Sequence, residues 1–424
     1  MTTPGSDPGT TRHPRDGGWF RFGAELPVHS ADDRREQPSG DATWDPIPSF
    51  LPSPDPVSAA GTGSPPLAYQ QLGLSPGPAR PSRLPETPVT YPQLLRGPTR
   101  AWWRPLLALA VFVGLFAALS VLPFLVVLTY GTLTGVQDVD LWLDQQLADS
   151  AVTDPLGYLY LNLSLVVLIP AAMLSIWAVH RIRPRFLSSV AGGLRWRWLL
   201  RCVVVLAPVW AVYLTISTIT DPPQSPRPEQ WVVLLVMGLL LTPWQAAPEE
   251  YAFRGWLTQN LGAFFRRPLL AFAVPTVVAA AAFAAAHGSP DPWILADLAV
   301  FSVVASTMTW RTGGLEAAIV MHAVNNVGID IIVTTIGGFD EALVGADTKG
   351  TPLSLAVSVL VHGIALALVL WQARRSGVDR RFRPPAVPGQ PAQQLDGAAL
   401  APLGQGADPG HGPRLDSEVD NSSR

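Results

Sequence analysis

Residues 231–255 read WVVLLVMGLLLTPWQAAPEEYAFRG. From Trp231 to Ala247 there is no ionisable side chain. A helix over 231–256 is long enough to cross a hydrocarbon core of about 30 Å at about 1.5 Å per residue. The apolar run ends on Pro248-Glu249-Glu250 and, four residues later, Arg254. A charge near mid-bilayer costs about 2.5–3.5 kcal/mol on an insertion scale, and such residues are generally functional. The segment therefore predicts both a membrane span and a reason for it.

Seven further apolar segments flank this one, near 104–130, 156–179, 199–219, 268–287, 292–310, 315–336 and 352–373. Such runs are too long and too numerous for one soluble core. The chain has 424 residues, 48% hydrophobic and 14% charged, and its mean hydropathy is +0.25. Together these argue against a soluble enzyme, a nucleic-acid-binding protein and a fibrous protein. They predict an all-α fold, a polytopic membrane helical bundle of about eight transmembrane helices with disordered N- and C-terminal tails.

The loops alternate in charge. Arg96, Arg100 and Arg104 precede the first span; Asp138, Asp140, Asp144, Asp149 and Asp154 follow it. Arg181 to Arg201 hold six arginines before span three, and Asp221, Arg227 and Glu229 follow it. Arg266 and Arg267, Asp291, Arg311, then Asp340, Glu341, Asp347 and Lys349 continue the series to the cluster beginning at Arg374. Positive loops stay cytoplasmic, so the expectation is a multi-pass protein of the plasma membrane with both termini inside. Trp102, Trp103, Trp196, Trp198, Trp231 and Trp371 fall at span ends, as an aromatic belt would.

Three regions follow: a Pro-rich tail over 1–101, the helical domain over 102–375, and a second tail over 376–424. Proline punctuates every apolar run in the first, which cannot bury enough area to offset ordering. The second opens with Arg374, Arg375, Arg380, Arg381 and Arg383, suited to anionic headgroups. Cys202 is the only cysteine, so there is neither an intramolecular disulfide nor a cysteine zinc cage. One lysine among many arginines, with abundant Ala, Pro and Trp, points to a GC-rich bacterial genome.

Three polar groups inside the spans have helical spacing. Glu250 and Arg254, four apart, share a face and can pair. Glu249 is turned by about 100° and points elsewhere. One carboxylate is thus neutralised and its neighbour is free to act as general base or acid. The second group is Phe283-Ala284-Ala285-Ala286-His287, whose alanines admit a close neighbour. The third is His322-Ala323-Val324-Asn325-Asn326, an imidazole and an amide on one face, suited to a developing oxyanion. Glu249, His287 and His322 could instead ligate zinc. Pro243 and Pro248 loosen the helix, which a membrane tolerates beside protein or a wet cavity. Of the remaining ionisable groups, Asp297 and Asp330 are supporting candidates, His362 reads as packing or a satisfied hydrogen bond, and Glu316 reads as reaching water.

In this order, Glu249-Glu250-x-x-x-Arg254-Gly255, Phe283-x-x-x-His287 and His322-x-x-x-Asn326 resemble the motifs of the CAAX protease and bacteriocin-processing (Abi) family. That family includes the type II CAAX prenyl endopeptidases. The resemblance covers roughly 231–336. It implies an intramembrane endopeptidase in which Glu249, helped by His287, activates water. Glu250 and Arg254 would hold the site in shape, and His322 and Asn326 would stabilise the oxyanion. It leaves the cofactor open between zinc and none. The implied partners are a peptide or membrane-protein substrate and the lipid bilayer, with no nucleic acid. The alternatives are a catalytically silent scaffold or bacteriocin-immunity protein of the same family, and a proton-coupled transporter. A straight-helix reading leaves His287 nearer the outer face than Glu249 and His322.

Overall fold

The computed structural model describes residues 83–385, apart from 136–137, 139–140, 143–153, 340–343 and 345–347. The tail assignments for 1–82 and 386–424, and the loop acids Asp140, Asp144, Asp149, Asp340, Glu341 and Asp347, lie outside the described residues. Among the described residues eight helical rods are long and apolar enough to cross a membrane, as the sequence leads one to expect. They are α1 (Arg104–Leu133), α2 with α3 (Pro155–Val166, Leu168–His180), α4 (Trp196–Thr220), a composite fourth rod, α7 (Pro268–Ala286), α8 (Pro292–Thr312), α9 (Glu316–Thr335) and α10 (Pro352–Arg375). The composite rod runs from Trp231 to Gly262 as α5 (Trp231–Glu250), a π-helix (Tyr251–Leu257) and α6 (Thr258–Gly262).

The helix starts are written locally. Pro155, Pro268, Pro292 and Pro352 occupy the first turn of their helices, where a missing N–H costs nothing. Asp154 accepts from the N–H groups of Leu156 and Gly157, and Asp291 from those of Trp293 and Ile294. Two of the acids that mark the charge alternation are therefore also N-caps. Gly313, at φ 72°, ends α8 in the left-handed region.

Helix α9 is the centre of the bundle and packs along α5 and α4; α8 packs on α7 and α10, α1 on α3, and α2 on α5. Lipid tails are as apolar as leucine, so close packing rather than hydrophobic drive must hold such helices together. Ala279, Ala284, Ala305, Ala317, Ala318 and Ala365 are accordingly buried at the contacts, and Trp210, Phe283, Met308 and Met321 fill the space between them. Leu106, Leu109 and Val113 of α1 face outward.

Three expectations are corrected here. First, residues 83–101 are part of the folded unit. Strand β1 (Val89–Thr90) pairs antiparallel with β2 (Arg381–Phe382), and Tyr91 and Leu94 are fully buried. The Tyr91 hydroxyl donates to the Leu187 carbonyl at 2.5 Å, and Gln93 Nε2 donates to the carbonyls of Phe265 and Arg266. Burial, and next the neighbouring Tyr251, push the Tyr91 phenol well above its ordinary range, so it stays a donor. Phe382 is buried against Phe186, so the start of the second tail is also folded. The strand pair sets both ends of the bundle on one side, which an even number of spans requires. Second, Glu316 does not reach water. It is fully buried, and Arg195 donates to it three times, the backbone N–H and Nε to Oε1 at 2.9 and 2.8 Å and Nη2 to Oε2 at 2.7 Å. Third, Trp198 is buried in the core, whereas Trp102, Trp103, Trp196 and Trp371 are exposed as a belt requires.

Candidate active site

The composite rod decides where the glutamates lie. Because it continues to Gly262, Glu249 and Glu250 sit just past its midpoint rather than near its end. The helix then widens to the i→i+5 pattern over Tyr251–Leu257. Single π turns recur at functional sites because they re-aim side chains. Here the widening follows directly on Glu250 and carries Arg254.

Glu250 and Arg254 are both fully buried. Arg254 Nη1 donates to Glu250 Oε1 at 3.0 Å, and His322 Nδ1 lies 2.9 Å from the same oxygen. The Arg254 guanidinium sits 4.4 Å from the centroid of Phe283 and 5.5 Å from that of Phe301. Desolvated cation–π contacts of this kind contribute about 2 kcal/mol. Phe283 also lies 4.7 Å from the His287 ring and 6.1 Å from the His322 ring. It is the post around which all three motifs gather, which gives the Phe-x-x-x-His spacing its physical meaning.

Glu249 turns the other way, as its helical offset predicts. Gln245 Nε2 donates to its Oε1 at 2.7 Å, and Asn326 Nδ2 donates to Gln245 Oε1 at 3.1 Å. His287 caps the end of α7, where its Nδ1 donates to the Phe283 carbonyl at 2.8 Å. That bond sets the tautomer and leaves the Nε2 lone pair free.

Glu249, His287, His322 and Asn326 line one cavity of about 410 Å³ inside the bundle. Glu250 and Arg254 stand behind its wall and reach it through His322. The depth conflict expected for His287 is thereby removed.

The metal set does not form. Among the described residues no three His, Cys, Asp or Glu side chains are grouped to hold an ion. His322 Nδ1 is engaged by Glu250, His287 Nδ1 by Phe283, and Glu249 Oε1 by Gln245. Those bonds orient the rings and leave His287 Nε2, His322 Nε2 and Glu249 Oε2 open, so it is the lack of grouping among the described residues, not the hydrogen bonding, that speaks against a zinc set.

The cavity holds Tyr158, Thr242 and Gln245, which sequence reasoning missed, beside the supporting candidate Asp330. Asp330 Oδ2 accepts from Tyr158 at 2.9 Å and from Thr242, which ties α2, α5 and α9 together on the cavity wall. Only Gln245 was findable, four residues before Glu249 on the same face. Tyr158 and Thr242 reach Asp330 by tertiary contact alone. Asp297 and His362 line the cavity too, and His362 Nδ1 donates to the Ser358 carbonyl at 2.9 Å. A separate apolar groove of about 870 Å³ runs over α4, α5 and α9.

Residues 228–328 match the family described as type II CAAX prenyl endopeptidase Rce1-like, a segment that holds all three motifs. The uncharacterized protein YyaK of Bacillus subtilis (strain 168) is 24% identical over 294 residues, 65% of this chain and 93% of that protein. No solved structure matches the chain. The Glu249-Glu250, Phe283–His287 and His322–Asn326 walls of the cavity all lie inside the matched segment, which is similar to the Rce1-like family over residues 228–328 of the 424.

Proposed function

We propose that this protein hydrolyses a peptide bond of a membrane-associated protein or peptide, with Glu249 as the base that activates water. One observation carries the reading. Glu249 Oε2, His287 Nε2, His322 Nε2 and one hydrogen of Asn326 Nδ2 belong to residues of a single cavity, and none has a partner among the described residues.

Water held between Glu249 Oε2 and His287 Nε2 meets two acceptors, which aims its oxygen lone pair at a scissile carbonyl. Its O–H bond breaks toward Glu249 as the new C–O bond forms. The oxyanion then lies against Asn326 Nδ2–H and the His322 ring, which Glu250 Oε1 orients through Nδ1. Collapse of the oxyanion breaks the C–N bond, and protonated Glu249 returns its proton to the leaving amine. Every proton and bond is accounted for by this chain's own side chains and one water.

The orientation reading supports a cytoplasmic position for both ends, since the arginine-rich loops lie on the side that carries β1 and β2. Cleavage of a quenched-fluorescence peptide library by purified protein in detergent micelles tests the mechanism. Glu249→Gln is expected to lower the rate by about 10²- to 10⁴-fold, and chelator is expected to leave the wild type unchanged. Wild-type turnover by Glu249→Gln overturns the assignment.

A further inference from the structure

We propose that Trp210, Asn325 and Gln245 are positioning residues: they form a one-way hydrogen-bond chain that fixes Glu249 Oε1 as an acceptor and aims Oε2 into the cavity. The inference rests on Glu249 being the base, and it concerns residues that the three motifs leave unspecified.

The links are short and continuous. Trp210 Nε1 donates to Asn325 Oδ1 at 2.9 Å, and Asn325 Nδ2 to Asn326 Oδ1 at 2.9 Å. Asn326 Nδ2 donates to Gln245 Oε1 at 3.1 Å, and Gln245 Nε2 to Glu249 Oε1 at 2.7 Å. The chain crosses from α4 through α9 to α5, and Trp210 is 1% exposed at its far end.

Its direction follows from chemistry. An indole N–H only donates. Asn325 must therefore show Trp210 its oxygen, which leaves its nitrogen for Asn326. Each amide passes the same polarity on, and the last one presents N–H to Glu249. Were Glu249 a donor, Gln245 would have to show it an oxygen. Every amide would then reverse, and Asn325 would set N–H against the Trp210 N–H. The chain thus admits Glu249 Oε1 only as an acceptor and leaves the proton of each cycle to Oε2. Bonds in such a series also polarise one another. The consequence is local: Oε1 is held, so Oε2 faces the cavity in one orientation.

Trp210 lines the apolar groove and is not among the residues lining the cavity. Trp210→Phe keeps the ring and removes only the N–H, so it separates positioning from packing. The infrared difference between wild type and Glu249→Gln isolates the Glu249 carboxylate band without any substrate. The same difference taken in the Trp210→Phe and Asn325→Leu backgrounds is expected to show that band shifted. An unshifted band in both overturns the chain.

Kinetics on the fastest-cut library peptide supply the second readout. Trp210→Phe is expected to lower kcat about tenfold with KM unchanged and the thermal midpoint retained. Adding Asn325→Leu is expected to cost little more, because a cut chain cannot be cut again. Additive losses, or a change confined to KM, overturn the proposal. If Glu249→Gln abolishes turnover while the band stays fixed, only the chain fails. If the band shifts while Glu249→Gln still turns over, only the hydrolase assignment fails.

Discussion

Glu250 Oε1 accepts from Arg254 at 3.0 Å and lies 2.9 Å from His322 Nδ1, so one buried oxygen joins the first motif to the third. Both members of the ion pair are fully buried. Removing one partner leaves an uncompensated charge, which costs about 3–5 kcal/mol. Arg254→Met is therefore expected to lower the thermal midpoint in detergent sharply. The double variant Glu250→Gln, Arg254→Met is expected to lose less than the sum of the two singles. A double-mutant cycle on thermal unfolding reads the coupling directly. Additive losses would show that the pair is not a unit.

Phe283 offers a sharper separation of shape from chemistry. It touches Arg254, His287 and His322 at once. Phe283→Ala is expected to destabilise by about 3–5 kcal/mol, as a buried aromatic truncation does. Phe283→Leu keeps most of the volume but loses the ring face that Arg254 covers. Its stability loss is expected to be smaller, while the rate of peptide cleavage falls because both histidines lose a wall. Equal activity of Phe283→Leu and wild type would remove Phe283 from the site.

The spans and the three motifs were legible because lipid imposes a severe rule on sequence. A spanning helix must satisfy its own backbone and face lipid with apolar side chains, so Glu249, His287 and His322 stand out against long uncharged runs. The folded flanks were not legible. Tyr91, Leu94 and Phe382 sit among prolines and arginines with no period to read, and they are buried by surfaces that other elements build. Glu316 misled for the same reason: its partner Arg195 lies in a distant loop. The metal alternative also required tertiary facts. Spacing places imidazoles on a face, but Glu250 and the Phe283 carbonyl decide which ring nitrogens are taken.

The amino-terminal flank can be displaced by one methyl group. Gly262 lies where an added Cβ would collide with the Pro92 carbonyl. Backbone cannot yield as a flexible side chain does, so Gly262→Ala is expected to push the Tyr91 segment off the bundle. Faster amide exchange over 89–95, with α9 unchanged, is the expected observation. Unaltered protection there would show that the flank is held independently of the Gly262 contact.

Arg195 holds the other flank. Its guanidinium donates to both oxygens of Glu316, and Nη1 donates to the carbonyls of Thr312 and Asp379 at 3.0 Å. Only a planar fork with several fixed donors can satisfy that many acceptors together. Arg195→Lys keeps the charge but can match neither the paired oxygens nor both carbonyls. It is therefore expected to behave much like Arg195→Ala, with faster exchange over 376–383 and a loss of about 2–4 kcal/mol, close to that for breaking a buried pair. If lysine restores wild-type exchange, the link is one of charge alone and the fork geometry is irrelevant.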